Sequence, residues 1–224
     1  MTQERIAVFD VLGPAYHYDR NGWIDGAVDP LLERLKKHGY TGKTSEEESR
    51  DEEDMIRSGK ETPLIMPGFA ECVLQATKHR IRPVVVSAGT DWVLEYCIER
   101  AAKDYCERTG VKGIRPDQLV QRSDLISTVS IGSKKDPQTW KQAVEKYSNP
   151  NTFVVFEDSL PNLVAAMEGL DSAGFHVTPT IYGLAEVLPN PTIGDKFVYR
   201  GHMLEAAENQ IFRRIVGKMT MRYS

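Results

Sequence analysis

The chain has 224 residues, is 41% hydrophobic and 27% charged, and carries a formal net charge of −4. This acidic balance, with no long Lys/Arg stripe, argues against a nucleic-acid surface, and no apolar run approaches the roughly 20 residues that span a bilayer. Cys72, Cys97 and Cys106 are odd in number and form no CxxC pair, so they read as reduced, buried thiols and exclude a disulfide framework.

Thr2-Gln3-Glu4-Arg5 leads straight into an apolar strand, Ile6 to Phe9, which leaves no room for a signal peptide and sets a cytoplasmic expectation. The strand ends on Asp10, followed by Val11-Leu12-Gly13-Pro14. A carboxylate there, with a glycine three residues on, lies against a tight turn whose N–H groups can face an anion. It can attack phosphorus and form an acyl-phosphate, or merely cap the turn.

About 50 residues then separate this strand from Pro67, far more than a βα connection needs. They hold an apolar-periodic helix (Leu31, Leu32, Leu35) and a charged helix, Ser45 to Arg57, with hardly any apolar face. An insertion at that point reads as a small helical lid, with the acidic run Glu46-Glu47-Glu48 and Asp51 to Asp54 as its solvated side.

Gly68 to Thr77 is expected as a helix, then Pro83 to Val86 as a strand ending on Ser87. Ser87-Ala88-Gly89-Thr90 opens the next helix, through Trp92 and Ile98. A hydroxyl and successive amides at a helix N-terminus suit a phosphate oxygen, and equally an ordinary helix cap at Ser87. Leu119-Val120 and Ser127 to Ile131 are weaker strand candidates.

Ser133-Lys134-Lys135-Asp136-Pro137 opens a helix through Trp140, Ala143 and Val144. Lys134 can neutralise charge on a transferring group. Phe153 to Phe156 forms another strand, ending on Glu157-Asp158, with Pro161 in the first turn of a helix through Ala165 and Ala166. Two adjacent carboxylates after four apolar residues are costly unless they meet a cation, and Mg²⁺ takes such hard oxygen ligands. Phe175 to Ile181 is a third of the weaker strand candidates. The tail from Gly201 to Ser224, with Leu204, Ala207, Ile211 and Ile215, is an amphipathic helix.

Alternating strands and helices predict an α/β fold, a parallel Rossmann-like sheet flanked by helices with a small helical cap inserted after strand 1. The expected organisation is a core of residues 1–14 and 66–200, a cap of 15–65 and a C-terminal helix of 201–224. Strand ends of a parallel sheet open into one crevice, so Asp10, Ser87 and Asp158 can converge there, which points to phosphoryl transfer.

The joint pattern resembles the haloacid dehalogenase-like (HAD) superfamily of hydrolases. Phe9-Asp10-Val11-Leu12-Gly13 looks like its first motif, Val85-Val86-Ser87 its second, Lys134 to Pro137 its third, and Phe156-Glu157-Asp158-Ser159 with Ala165-Ala166 its fourth. The resemblance implies that Asp10 is the nucleophile and that Ser87, Ala88 and Lys134 bind the phosphoryl group. It implies Mg²⁺ held by Asp10, the Leu12 carbonyl and Asp158, with Glu157 and Asn162 in support. A small phosphorylated substrate is the expected partner, with no nucleic acid or membrane, in a monomer or homodimer.

One departure matters. Phosphatases of this superfamily usually carry an aspartate two positions after the nucleophile, where this chain has Leu12, and losing such an acid/base typically costs about 10²–10⁴-fold. The sequence therefore leaves three readings: a phosphohydrolase with a good leaving group or an acid from the lid entrance (Tyr16, His17, Asp19), another hydrolase chemistry such as phosphonate or carbon–halogen cleavage, or a phosphate-ligand-binding protein without turnover.

Overall fold

The computed structural model describes residues 4–11, 16–17, 39, 45–60, 64–65, 68–147, 150–157, 159–182, 192–193, 196–197 and 199–201. β1 (Glu4–Phe9) is followed by β2 (Tyr16–His17), which pairs antiparallel with β3 (Leu64–Ile65); helix α1 (Ser45–Arg57) lies between the two in sequence. Next come α2 (Phe69–Lys78), β4 (Arg82–Ser87), α3 (Asp91–Thr109) and the short α4 (Pro116–Leu119). A 3₁₀ turn (Arg122–Asp124) enters β5 (Leu125–Ser127), followed by α5 (Pro137–Val144), β6 (Pro150–Glu157), α6 (Leu160–Ser172) and β7 (His176–Tyr182). β8 (Thr192–Ile193) and β9 (Lys196–Phe197) form a small antiparallel pair before β10 (Tyr199–Gly201).

Six strands make one sheet in the order β10-β7-β6-β1-β4-β5, every pairing parallel. The central strands are apolar through their middles because both sheet faces are covered. Ala7, Phe9, Val85, Val154 and Phe156 pack beneath α2 and α3, while Ile6, Val8, Val84, Val86, Phe153 and Val155 pack beneath α5 and α6. The chain runs from β1 outward through β4 and β5, then returns to β6 on the other flank of β1. That reversal creates the crevice where open α/β sheets bind ligands. At its floor Phe9 stacks on Phe156 at 4.7 Å and meets Phe69 edge-on.

Several sequence expectations need correction. Leu119 closes helix α4 and Val120 is its C-cap, so neither is in a strand. β5 is Leu125–Ser127, ending where the expected strand began, because Thr128 turns to donate its N–H to the Ser87 carbonyl. The cap of α3 is Thr90, whose hydroxyl accepts from the Val93 amide, not Ser87. Gly201 ends a strand paired with β7. None of the three cysteines forms a disulfide; Cys72 and Cys97 are buried and Cys106 is half-buried. Burial, with Glu71 alongside, pushes the Cys72 thiol well above its usual range.

α1 departs most from its sequence reading. Glu46 and Glu47 are exposed as expected, yet Ser49, Glu52, Met55 and Ile56 are buried, and Ile56 joins the core beneath α2 and α3. The helix buries a stripe at three- and four-residue spacing that is half polar. The expected helix around Leu31 and the tail beyond Gly201 lie outside the described residues. Among the described residues, no helix is long and apolar enough to cross a membrane.

Candidate active site

Asp10 leaves β1 with its amide still bonded to the Phe156 carbonyl of β6, 2.9 Å, which fixes it at the reversal point of the sheet. Its Oδ1 accepts the Val11 amide at 2.8 Å and the Ser87 hydroxyl at 2.5 Å. The last residue of β4 thus reaches the residue after β1, as neighbouring parallel strands of matched length require.

Lys134 arrives from the far side of the sheet, on the loop before α5. Asp136 caps that helix by accepting the Gln138 amide, Pro137 occupies its first turn, and the indole N–H of buried Trp140 donates to the Lys134 carbonyl at 2.7 Å. These contacts pin the loop and drive the side chain inward to 5% exposure. Lys134 Nζ lies 2.9 Å from Asp10 Oδ2 and 2.5 Å from Glu157 Oε2. Glu157, wholly buried at the end of β6, is held on its other oxygen by Asn162 Nδ2 at 3.0 Å.

Burial, reinforced by Glu157 and opposed by Lys134 and Ser87, pushes the Asp10 carboxyl up to about 7. Burial alone would lower the Lys134 ammonium, but Asp10 and Glu157 outweigh it and hold the group above its usual range. Two buried carboxylates thus share one ammonium. Among the described residues, two buried carboxylates and one ammonium with hard oxygen donors fit a further cation.

The structure therefore gathers four of the predicted residues, Asp10, Ser87, Lys134 and Glu157, with Asn162 behind Glu157 and Ala88 exposed beside Ser87. Glu157 and Asn162 act on Lys134: they anchor and orient the ammonium. Leu12 and Asp158 lie outside the described residues, as does Asp19, and of Tyr16 and His17 the backbone alone is described. Among the described residues, no group of three or more His, Cys, Asp or Glu is placed to hold a metal.

Sequence reasoning missed the docking of α1 on this site. Ser49 donates its hydroxyl to the Ala88 carbonyl at 2.8 Å, and the Thr90 hydroxyl donates to Glu53 at 2.5 Å. Arg57 pairs with Glu53 and lies over the Trp92 ring, 3.9 Å from its centroid. The spacing of Ser49, Glu52 and Ile56 carried the signal, masked by the charges around it.

No family model matches the sequence, and no curated protein does. Solved structures do. A candidate β-phosphoglucomutase from Bacteroides vulgatus aligns with 96% of this chain and 90% of its own at 12% identity and a TM-score of 0.54. A hydrolase from Pseudomonas syringae aligns over 95% and 99% at 12% identity, also with a TM-score of 0.54. A HAD hydrolase of family IA, variant 3, from Entamoeba histolytica aligns over 92% and 100% at 14% identity and 0.50. Sequence identity this low speaks for architecture and leaves the chemistry to the site itself. The reversal point at β1, the strand-end cluster and these likenesses agree: the chain has the fold of the HAD-superfamily hydrolases.

Proposed function

We propose that the protein is a Mg²⁺-dependent phosphohydrolase acting on a small phosphorylated metabolite through an aspartyl-phosphate at Asp10. Residues 1–14 and 66–200 form the catalytic core, and 15–65 the cap over it. The observation that carries this reading is the buried ammonium of Lys134 set between Asp10 and Glu157, with Ser87 on the other oxygen of Asp10.

In this reading Asp10 attacks phosphorus as the carboxylate. The new Asp10–phosphorus bond forms as the ester oxygen–phosphorus bond breaks, the leaving oxygen takes a proton from solvent and departs as the alcohol, and water then cleaves the acyl-phosphate to free Asp10 and release phosphate. Lys134 and Ser87, which hold the two Asp10 oxygens before substrate binds, turn towards the oxygens of the transferring group. Glu157 and Asn162 keep Lys134 in place as its partner changes. Asp10, the Leu12 carbonyl and Asp158 would hold Mg²⁺, whose positive charge would offset the negative charge of the phosphoryl group and favour ionised Asp10.

Leu12 supports a second reading. It cannot protonate a leaving group or activate water, so a protein that binds a phosphate ester without turning it over has this observation in its favour. Phosphate release from phosphorylated metabolites and an activated aryl phosphate separates the two, measured with Mg²⁺ or EDTA for wild type and Asp10→Asn. Mg²⁺-dependent release that Asp10→Asn lowers by at least about 10⁴-fold is expected. A wild type that releases no more than the mutant, even from the aryl ester, overturns turnover and leaves binding.

A further inference from the structure

Three consecutive carbonyls of the loop after β4 are each taken by a different donor. The Ser87 carbonyl accepts the Thr128 amide at 2.9 Å, that of Ala88 the Ser49 hydroxyl at 2.8 Å, and that of Gly89 the Ser127 hydroxyl at 2.7 Å. A trans peptide is planar, with its N–H opposite its C=O. Each donor therefore also aims the following amide: Thr128 sets that of Ala88, Ser49 that of Gly89, and Ser127 that of Thr90. Among the described residues, none of these three amides donates a hydrogen bond.

The three donors come from two places. Ser127 ends β5 and Thr128 follows it, so the outer two peptides are held from the sheet. Ser49 belongs to α1, in the insertion. Among the described residues, the middle peptide thus has its side-chain anchor on a helix of the insertion and not on the sheet. Ser49 is 5% exposed, and its helix is fastened to the same loop at Thr90 through Glu53 and at Trp92 through Arg57.

We infer that Ser49 is a positioning residue for anion binding: by holding the Ala88 carbonyl it aims the Gly89 amide, so that docking of α1 and occupation of the loop by a phosphoryl group favour one another. The inference rests on the reading of the Ser87 loop as the phosphate site. Linkage makes the effect reciprocal, since whatever helps α1 dock raises anion affinity and a bound anion steadies α1.

Inorganic phosphate titrated calorimetrically with Mg²⁺ present, into wild type, Ser87→Ala, Ser49→Ala and Ser49→Thr, tests this. The expected result is binding to wild type, loss in Ser87→Ala, weakening of about five- to ten-fold in Ser49→Ala, and recovery in Ser49→Thr, which restores the hydroxyl. Equal affinity in Ser49→Ala and wild type overturns the inference while the phosphate site stands. Equal weakening in Ser49→Ala and Ser49→Thr overturns it too, since packing and not the hydroxyl would then be responsible. Absence of binding to wild type overturns the phosphate-site reading and this inference together.

Discussion

β4 begins at Arg82 and ends at Ser87, and each end is tied to a buried carboxylate, on opposite terms. At the first end Arg82 meets Asp124 with two contacts of 2.9 Å, and the Tyr147 hydroxyl adds a third bond at 3.0 Å. The carboxylate is matched by cations, Arg82 in direct contact and Lys146 nearby, and the guanidinium reaches solvent with 40% of its side chain exposed. Arg82 and Lys146 also lie over the Tyr147 ring, and Lys146 bonds the Ser123 carbonyl. At the second end two carboxylates, Asp10 and Glu157, divide one lysine, and all three are buried. The balanced cluster is a staple between β4, β5 and the approach to β6. The second keeps a demand for positive charge that a cation can meet. Charge balance, more than burial, separates the two ends.

The sharpest break in this comparison is Lys134→Ala. It removes the ammonium that Asp10 and Glu157 share, and removing one member of a buried pair costs about 3–5 kcal/mol. Urea unfolding at pH 8 in EDTA should show that loss, and lowering the pH should restore part of it by protonating one carboxylate. An unchanged midpoint would mean the two carboxylates do not depend on Lys134. Asp10→Asn should act in the opposite direction. The Asp10 carboxyl sits near 7 in the fold against 3.8 as its ordinary value, so its neutral form is the favoured one. The stability this lends is complete below about pH 4 and is lost as pH rises through about 7. Without metal, wild type and Asp10→Asn should melt alike at pH 4, and the mutant should be the more stable by a few kcal/mol at pH 8. Proteins that converge at high pH and diverge at low pH would reverse the sign and refute the burial argument.

Much of this was legible in the sequence because parallel strands covered on both faces are apolar runs, and the residue just past each run stands at the crevice. Asp10, Ser87 and Glu157 are found that way. Lys134 is harder: a lysine between Ser133 and Lys135 looks solvated, and only the Trp140 bond to its carbonyl and the carboxylates beyond explain its burial. The buried face of α1 was hidden because Ser49 and Glu52 are polar, and hydrophobic periodicity does not register a stripe that docks through hydroxyls and carboxylates. β5 was misplaced because three residues are too few for an alternation signal, and its end is set by the Thr128 bond to Ser87, a contact distant in sequence.

At the balanced end, Asp124→Ala should cost less than Lys134→Ala, about 2–3 kcal/mol, because the released Arg82 is already part-exposed and can be hydrated while Tyr147 loses one bond. Phosphate release should survive it, which separates the staple from the site; loss of activity without loss of stability would join them. The smallest effect expected lies behind Lys134, where α5 and α6 touch. A Cβ at Gly169 of α6 would lie 2.2 Å from the Pro137 carbonyl oxygen, a backbone atom that cannot rotate aside. Replacing an interior helical glycine with alanine ordinarily gains up to about 1 kcal/mol. Gly169→Ala should instead lose about 1–3 kcal/mol, since α5 must shift outward to admit the methyl. Pro137 is three residues from Lys134, so the shift should draw the ammonium from Asp10 and lower turnover more than substrate affinity. A Gly169→Ala protein that is stabilised, with kcat intact, would show that α5 yields freely and that the Trp140 bond alone holds Lys134 in place.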